Sequence, residues 1–188
     1  MSGKSKIFFP KKLFWKNLVN LICWISVSNF SGQFLYAQQI SNTASASISA
    51  TIIKPIGITK NANLNFGNIA AGTSSGTVIL DPAGNRSATG GVTLPSAAGT
   101  VTAASFNVTG EGSYSYTITL PATAYITSVN SGSETMLIDK FISSPSQTGN
   151  LNSGVQTISV GATLNVGAAQ QVSEYKSITG FTVTVNYN

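Results

Sequence analysis

The chain is 188 residues long, with a formal net charge of +5, only 8% charged side chains, no histidine and a single cysteine. Lys4, Lys6, Lys11, Lys12 and Lys16 supply the whole positive excess; beyond residue 37, Lys54, Lys60, Arg86, Lys140 and Lys176 balance Asp81, Glu111, Glu134, Asp139 and Glu174. The neutral remainder lacks the basic stripe that nucleic acid requires. Without His or Cys it can build neither a Ser-His-Asp triad, nor a Cys-His pair, nor a usual zinc site.

Residues 1–37 read as an export signal: a Lys-rich start, an apolar run from Leu18 to Val27, a more polar stretch, and Leu35-Tyr36-Ala37 before Gln38, with the small Ala37 as the expected cleavage position. The apolar run is far short of the ~20 residues a bilayer-spanning helix needs, so the part beyond residue 37 is expected to have no membrane span. Cys23, preceded by Ile22, lies inside this run and is a poor lipidation site. Residues 38–188 then form one domain without Cys or Trp, stabilised by burial and sheet hydrogen bonds rather than disulfides.

That domain is rich in Ser, Thr, Gly, Ala, Asn, Val and Ile, which favours strands and turns. From Thr43 to Ile52 apolar residues recur at Ala44, Ala46, Ile48, Ala50 and Ile52, and the phase continues at Ile56 and Ile58 past Pro55. This segment is either the first strand of its own domain or, being uncharged and apolar at every second residue, a donor strand for a neighbour.

Further strands are expected at residues 64–69, 77–80, 91–94, 105–109, 114–120, 124–128, 135–142, 155–166 and 180–187. Residues 132–143 are the nearest thing to a helix, with a strand equally compatible. Turn signals separate the runs at Asp81-Pro82-Ala83-Gly84-Asn85, Gly110-Glu111-Gly112, Asn130-Ser131-Gly132, Ser144-Pro145 and Asn152-Ser153-Gly154. The ending, Phe181 to Asn188, alternates without error and must bury one face. Short strands at regular spacing, without intervening helices, indicate an antiparallel immunoglobulin-like β-sandwich of Greek-key type. Its expected core is Phe66, Phe106, Ile118, Leu120, Ile158, Val160, Phe181, Val183 and Val185, with Gly67 and Gly110 shaping turns.

No catalytic, cofactor or metal site emerges. The five carboxylates are scattered near turns and strand ends, unlike a glycosidase pair. The loop at Asp81 lacks the alternate oxygen ligands of a calcium site. Gly84 to Gly91 and Gly110 to Gly112 lack the Lys-Ser/Thr ending of a phosphate loop and read as strand connections. Tyr114 and Tyr116 share a phase with Ile118 and Leu120 and are expected in the core, whereas Tyr125 and Tyr175 are candidate glycan contacts on a surface.

With Ala50-x-Ile52, Pro55-Ile56-x-Ile58, Leu64-Asn65-Phe66-Gly67-Asn68-Ile69, Gly76-Thr77-Val78, Gly90-Gly91-Val92, Ala104 to Gly110 and the ending Gly180 to Asn188, the chain resembles the secreted bacterial family known as domain of unknown function 4402. That family is similar in outline to spore-coat-U-type and chaperone-usher pilin domains. The resemblance implies a pilin-like sandwich and a structural or adhesive role at the cell surface, as in a fimbrial subunit. Its partners would be copies of itself or a periplasmic chaperone. It brings no catalytic residues. Many pilin domains carry a disulfide, which this chain cannot form, and they often have a glycine where this chain has Tyr175. The competing expectation is a monomeric secreted module that binds a surface glycan through Tyr125 and Tyr175.

Overall fold

The computed structural model describes residues 41–188, so the expected export signal lies outside the described residues. The chain divides into two units, Met1–Ser49 and Ala50–Asn188. In the first, the described residues 41–49 carry no strand or helix and are exposed throughout. The second is all-β and antiparallel, with eleven strands: β1 Gly57–Ala62, β2 Ala70–Leu80, β3 Arg86–Thr93, β4 Ala104–Thr109, β5 Ser115–Thr119, β6 Thr123–Ser128, β7 Thr135–Ser144, β8 Thr148–Asn150, β9 Val155–Val166, β10 Tyr175–Lys176 and β11 Thr184–Tyr187. No helix among the described residues is long and apolar enough to cross a membrane.

Two sheets form the sandwich. The larger has the order β1-β4-β9-β7-β6-β10 with β2 and β3 attached, and the smaller has the order β11-β5-β8. The larger sheet is organised by β9. One edge of β9 pairs with β4 through Val155–Val160 and with β2 through Ala162–Val166, while β7 runs along its other edge. Gly161 sits where the partner changes. A Cβ there would fall on the Leu80 carbonyl and come within 2.7 Å of the Asp81 carbonyl carbon, so only glycine lets the end of β2 approach.

The alternation read from the sequence explains which faces close. In β4 (ASFNVT) every second residue is buried, and β5 buries Tyr116 and Ile118 in the same way. Ala104, Phe106, Val108, Tyr116, Ile118, Leu151, Ile158, Val160, Val183 and Val185 make a first core between the two sheets. Phe66, Val78, Leu80, Val92, Met136, Ile138, Ala162, Leu164 and Val166 make a second, under the far half of β9. The C-terminal half of β9 is buried almost continuously: Ala162, Leu164 and Val166 enter the second core, and its two edges pair with β2 and β7.

Of the expected core, Phe66, Phe106, Ile118, Ile158, Val160, Val183 and Val185 are buried; Leu120 and Phe181 pack against the first core from its rim. Tyr116 is fully buried, but Tyr114 turns outward at 41% exposure, so the shared phase holds only from Tyr116 onward.

The differences have physical causes. Residues 64–69 do not form a strand: Asn65 makes a lone bridge with Thr102, and Gly67, at φ 71°, turns the chain so that Phe66 plugs the second core while Leu64 and Ile69 pack at its rim. Gly84 to Gly91 is not simply a connection, because only the turn at 81–85 reverses the chain and β3 already runs from Arg86. Gly91 stays in strand because its missing side chain lets the Ser74 backbone approach across a bulge. The region 132–143 resolves as strand β7. Two short strands, β8 and β10, carry too few residues to show a period, and the ending is strand only over Thr184–Tyr187. The segment Thr43 to Ile52 forms no strand at all.

Candidate functional site

Ala44, Ala46, Ile48, Ala50 and Ile52 are all exposed, Ile48 at 97% and Ile52 at 99%. The run is patterned for burial on one face, and the residues of that face are exposed. Ile53 is half-buried, Ile56 is the first to pack against the first core, and pairing begins at β1, where Gly57 to Ala62 lies against β4.

Just before β1 the chain is fastened by a small network. The Lys54 N–H donates to Glu111 Oε2 at 3.0 Å, and the Tyr187 hydroxyl donates to the Lys54 carbonyl at 2.8 Å. The same hydroxyl accepts from the Glu111 N–H at 2.6 Å. Three separate elements meet there: the approach to β1, the turn after β4, and the end of β11. The Tyr187 ring also meets Tyr114 edge to face at 5.6 Å.

Gly110 makes the arrangement possible. A Cβ at this position would collide with the Tyr187 hydroxyl and lie 2.7 Å from Leu151 Cδ1, so this glycine supplies room where the sequence suggested only a turn. No spacing rule points to the Lys54, Glu111 and Tyr187 trio, since its members are far apart in sequence and meet only through the register of β11 on β5.

The candidate glycan contacts do not form one surface. Tyr175 pairs with Ser128 and packs against the second core, on the same side as Ile126 and Ala124, and successive strand residues point to opposite faces. Tyr125 is therefore on the other face of β6, at 59% exposure. The Tyr175 hydroxyl is also engaged, accepting from Gln170 Nε2 at 2.9 Å and donating to the Gln171 carbonyl at 2.8 Å.

Several carboxylates have local structural partners. Asp81 accepts from the Asn85 N–H at 2.8 Å and from Asn85 Nδ2 at 3.0 Å, and these bonds hold its carboxyl below the usual carboxylate range. Glu111 belongs to the network at Lys54, and Glu174 pairs with Lys176 at 2.9 Å in solvent. The described residues contain no cluster of three or more metal-ligating side chains. Arg86, which the sequence marks only as one of the scattered charges, reaches under the 66–68 loop and donates to the Phe66 and Asn68 carbonyls at 2.6 and 2.8 Å.

These features define an antiparallel β-sandwich module preceded by an exposed, strand-patterned segment. The chain belongs to the family described as domain of unknown function (DUF4402), whose model matches residues 56–187. The match thus starts past the exposed segment. No curated protein and no solved structure matches the chain.

Proposed function

We propose that this protein is an exported, non-enzymatic structural or adhesive component of the bacterial cell surface, a subunit of fimbrial type. The observation that carries the reading is the segment Ala44 to Ile52. It has the uncharged alternation of a buried strand, yet Ile48 and Ile52 stand almost wholly in solvent. A protein that works alone gains nothing from such a segment, whereas an assembling one can use it as a ready-made joint.

Export is supported by the Lys-rich start, the apolar run and the small residue at Ala37. A periplasmic chaperone would suit a chain with this exposed segment. The local roles of Asp81, Glu111 and Glu174 favour a scaffold over a hydrolase. The separation of Tyr125 and Tyr175 onto opposite faces counts against the two as one glycan-binding platform.

The test is localisation in a bacterial host. Antibody labelling of intact cells and N-terminal sequencing should find the protein at the surface and beginning at Gln38. Accumulation in the cytoplasm with residues 1–37 intact would overturn the reading.

A further inference from the structure

The two sheets are unequal, and the smaller one stops short on one side. It contains β11, β5 and β8, and β11 pairs with β5 but with no other strand among the described residues. The larger sheet ends on the same side with β1, because Lys54, just before β1, is bonded to Tyr187, the last residue of β11. At the β1 edge lie Ile56 and Ile58, which pack against the first core but remain only partly buried.

Unpaired strand edges are templates for further pairing, and proteins usually blunt them with charge, proline or short length. The other edges here are blunted in that way. β1 carries Lys60 and follows Lys54-Pro55, β3 begins with Arg86, β10 is two residues long with Lys176, and β8 has three residues. β11 is short as well, with four residues, but it has no guard of charge or proline. From Phe181 to Asn188 no residue is charged and none is proline, while Val183 and Val185 point into the core and leave the backbone edge open.

The chain also supplies a segment of matching chemistry. No residue from Ser41 to Ile53 is charged, and from Ala44 to Ile52 apolar residues fall at every second position. The same molecule is a poor source. Its segment is anchored at Lys54 beside the Tyr187 end of β11, and Ile52, two residues earlier, is already 99% exposed.

We infer that residues 44–52 of one copy add as a strand to the free edge of β11 in a second copy, laying Ile48 and Ile52 toward the incompletely covered Ile56 and Ile58. Donor and acceptor are different surfaces of the same chain, so the contact can propagate head-to-tail from copy to copy. The inference deepens the surface-subunit reading and rests on it for its biological setting.

The test uses the full chain as the expressing cell processes it, in a Cys23→Ser background. Exposed Ser49 and Thr184 are each replaced by cysteine in separate proteins, with exposed Thr93 on the β3 edge as the control acceptor. Mixed under mild oxidation, S49C and T184C proteins should give a disulfide-linked heterodimer, whereas S49C and T93C should not. Light scattering should show association that rises with concentration and weakens by about tenfold or more in an Ile48→Asp, Ile52→Asp double variant. Both side chains are in solvent, so that variant should keep the circular dichroism of the parent.

Equal cross-linking to T93C, association unchanged in the double variant, or an S49C/T184C protein that closes its disulfide within a monomer would each overturn the inference. So would a protein that stays monomeric at all concentrations and forms no cross-link. A monomer displayed on the cell surface would refute this joint and leave the surface role standing. A cytoplasmic protein that cross-links Ser49 to Thr184 between copies would do the reverse.

Discussion

The hydroxyl of Tyr187 donates to the carbonyl of Lys54 at 2.8 Å, joining two residues 133 positions apart in the chain. Because the same oxygen accepts from the Glu111 N–H, one phenol satisfies backbone groups from both chain segments that border it. The base of the exposed segment is thereby held to the last strand.

Replacing Tyr187 with Phe keeps the ring against Tyr114 and removes both bonds. The expected loss is about 1–2 kcal/mol of stability, the usual net worth of two such hydrogen bonds. Hydrogen exchange should quicken at the Lys54 and Glu111 amides while amides in β9 keep their protection. Unchanged exchange at both sites would show that the network does not fasten the segment.

Gly161 should be intolerant of any side chain. Gly161→Ala places a methyl against the backbone at Leu80 to Pro82, which cannot swing aside as a side chain would. A cost of about 1–3 kcal/mol is expected from overpacking, seen as a lower urea midpoint. A midpoint equal to the parent's would mean that β2 can move away from β9.

The two cores should fail together. Ile158→Ala empties part of the first and Leu164→Ala part of the second, and each should cost about 2–5 kcal/mol. Since both residues belong to β9, fluorescence and circular dichroism should report one coincident transition in each variant. Separated transitions would show that the halves are independent.

Alkaline pH should destabilise the fold through Tyr116. Burial pushes its phenol above the ordinary value of 10.0, so the folded state holds the proton more tightly than the unfolded chain does. The associated stability is complete below about pH 10 and is lost as the pH rises through the higher folded-state value. Urea midpoints measured between pH 8 and pH 11 should fall more steeply for the parent than for Tyr116→Phe. That variant gives up a 2.7 Å bond to Gln156 Oε1, so at neutral pH it should be less stable by about 1 kcal/mol.

Much of the fold was legible because burial in a sandwich follows period two. The alternation of Ser105 to Thr109 and of Ile158 to Val160 places Phe106, Ile158 and Val160 in the core. Periodicity could not separate a strand that is paired from one that is merely patterned, and Ala44 to Ile52 has the second property without the first. Nor could it find contacts made by register. Phe66 looked like part of a strand and is a plug held by a positive-φ glycine, and Gly110 looked like a turn former and is a gap for Tyr187. The candidate tyrosines were chosen for their chemistry; the face each occupies was set by pairing of β10 with β6, a strand too short to be read.

The position of β9 also fixes the order in which the protein can be built. β2, β4 and β7 all pair with it, and it begins only at Val155, so neither core can close until nearly the whole chain has been synthesised. Pairings across such long separations are slow to form, and until then the Val- and Ile-rich faces of the earlier strands stay open to other chains. The late arrival of one central strand therefore leaves those faces uncovered until residue 166 has been added.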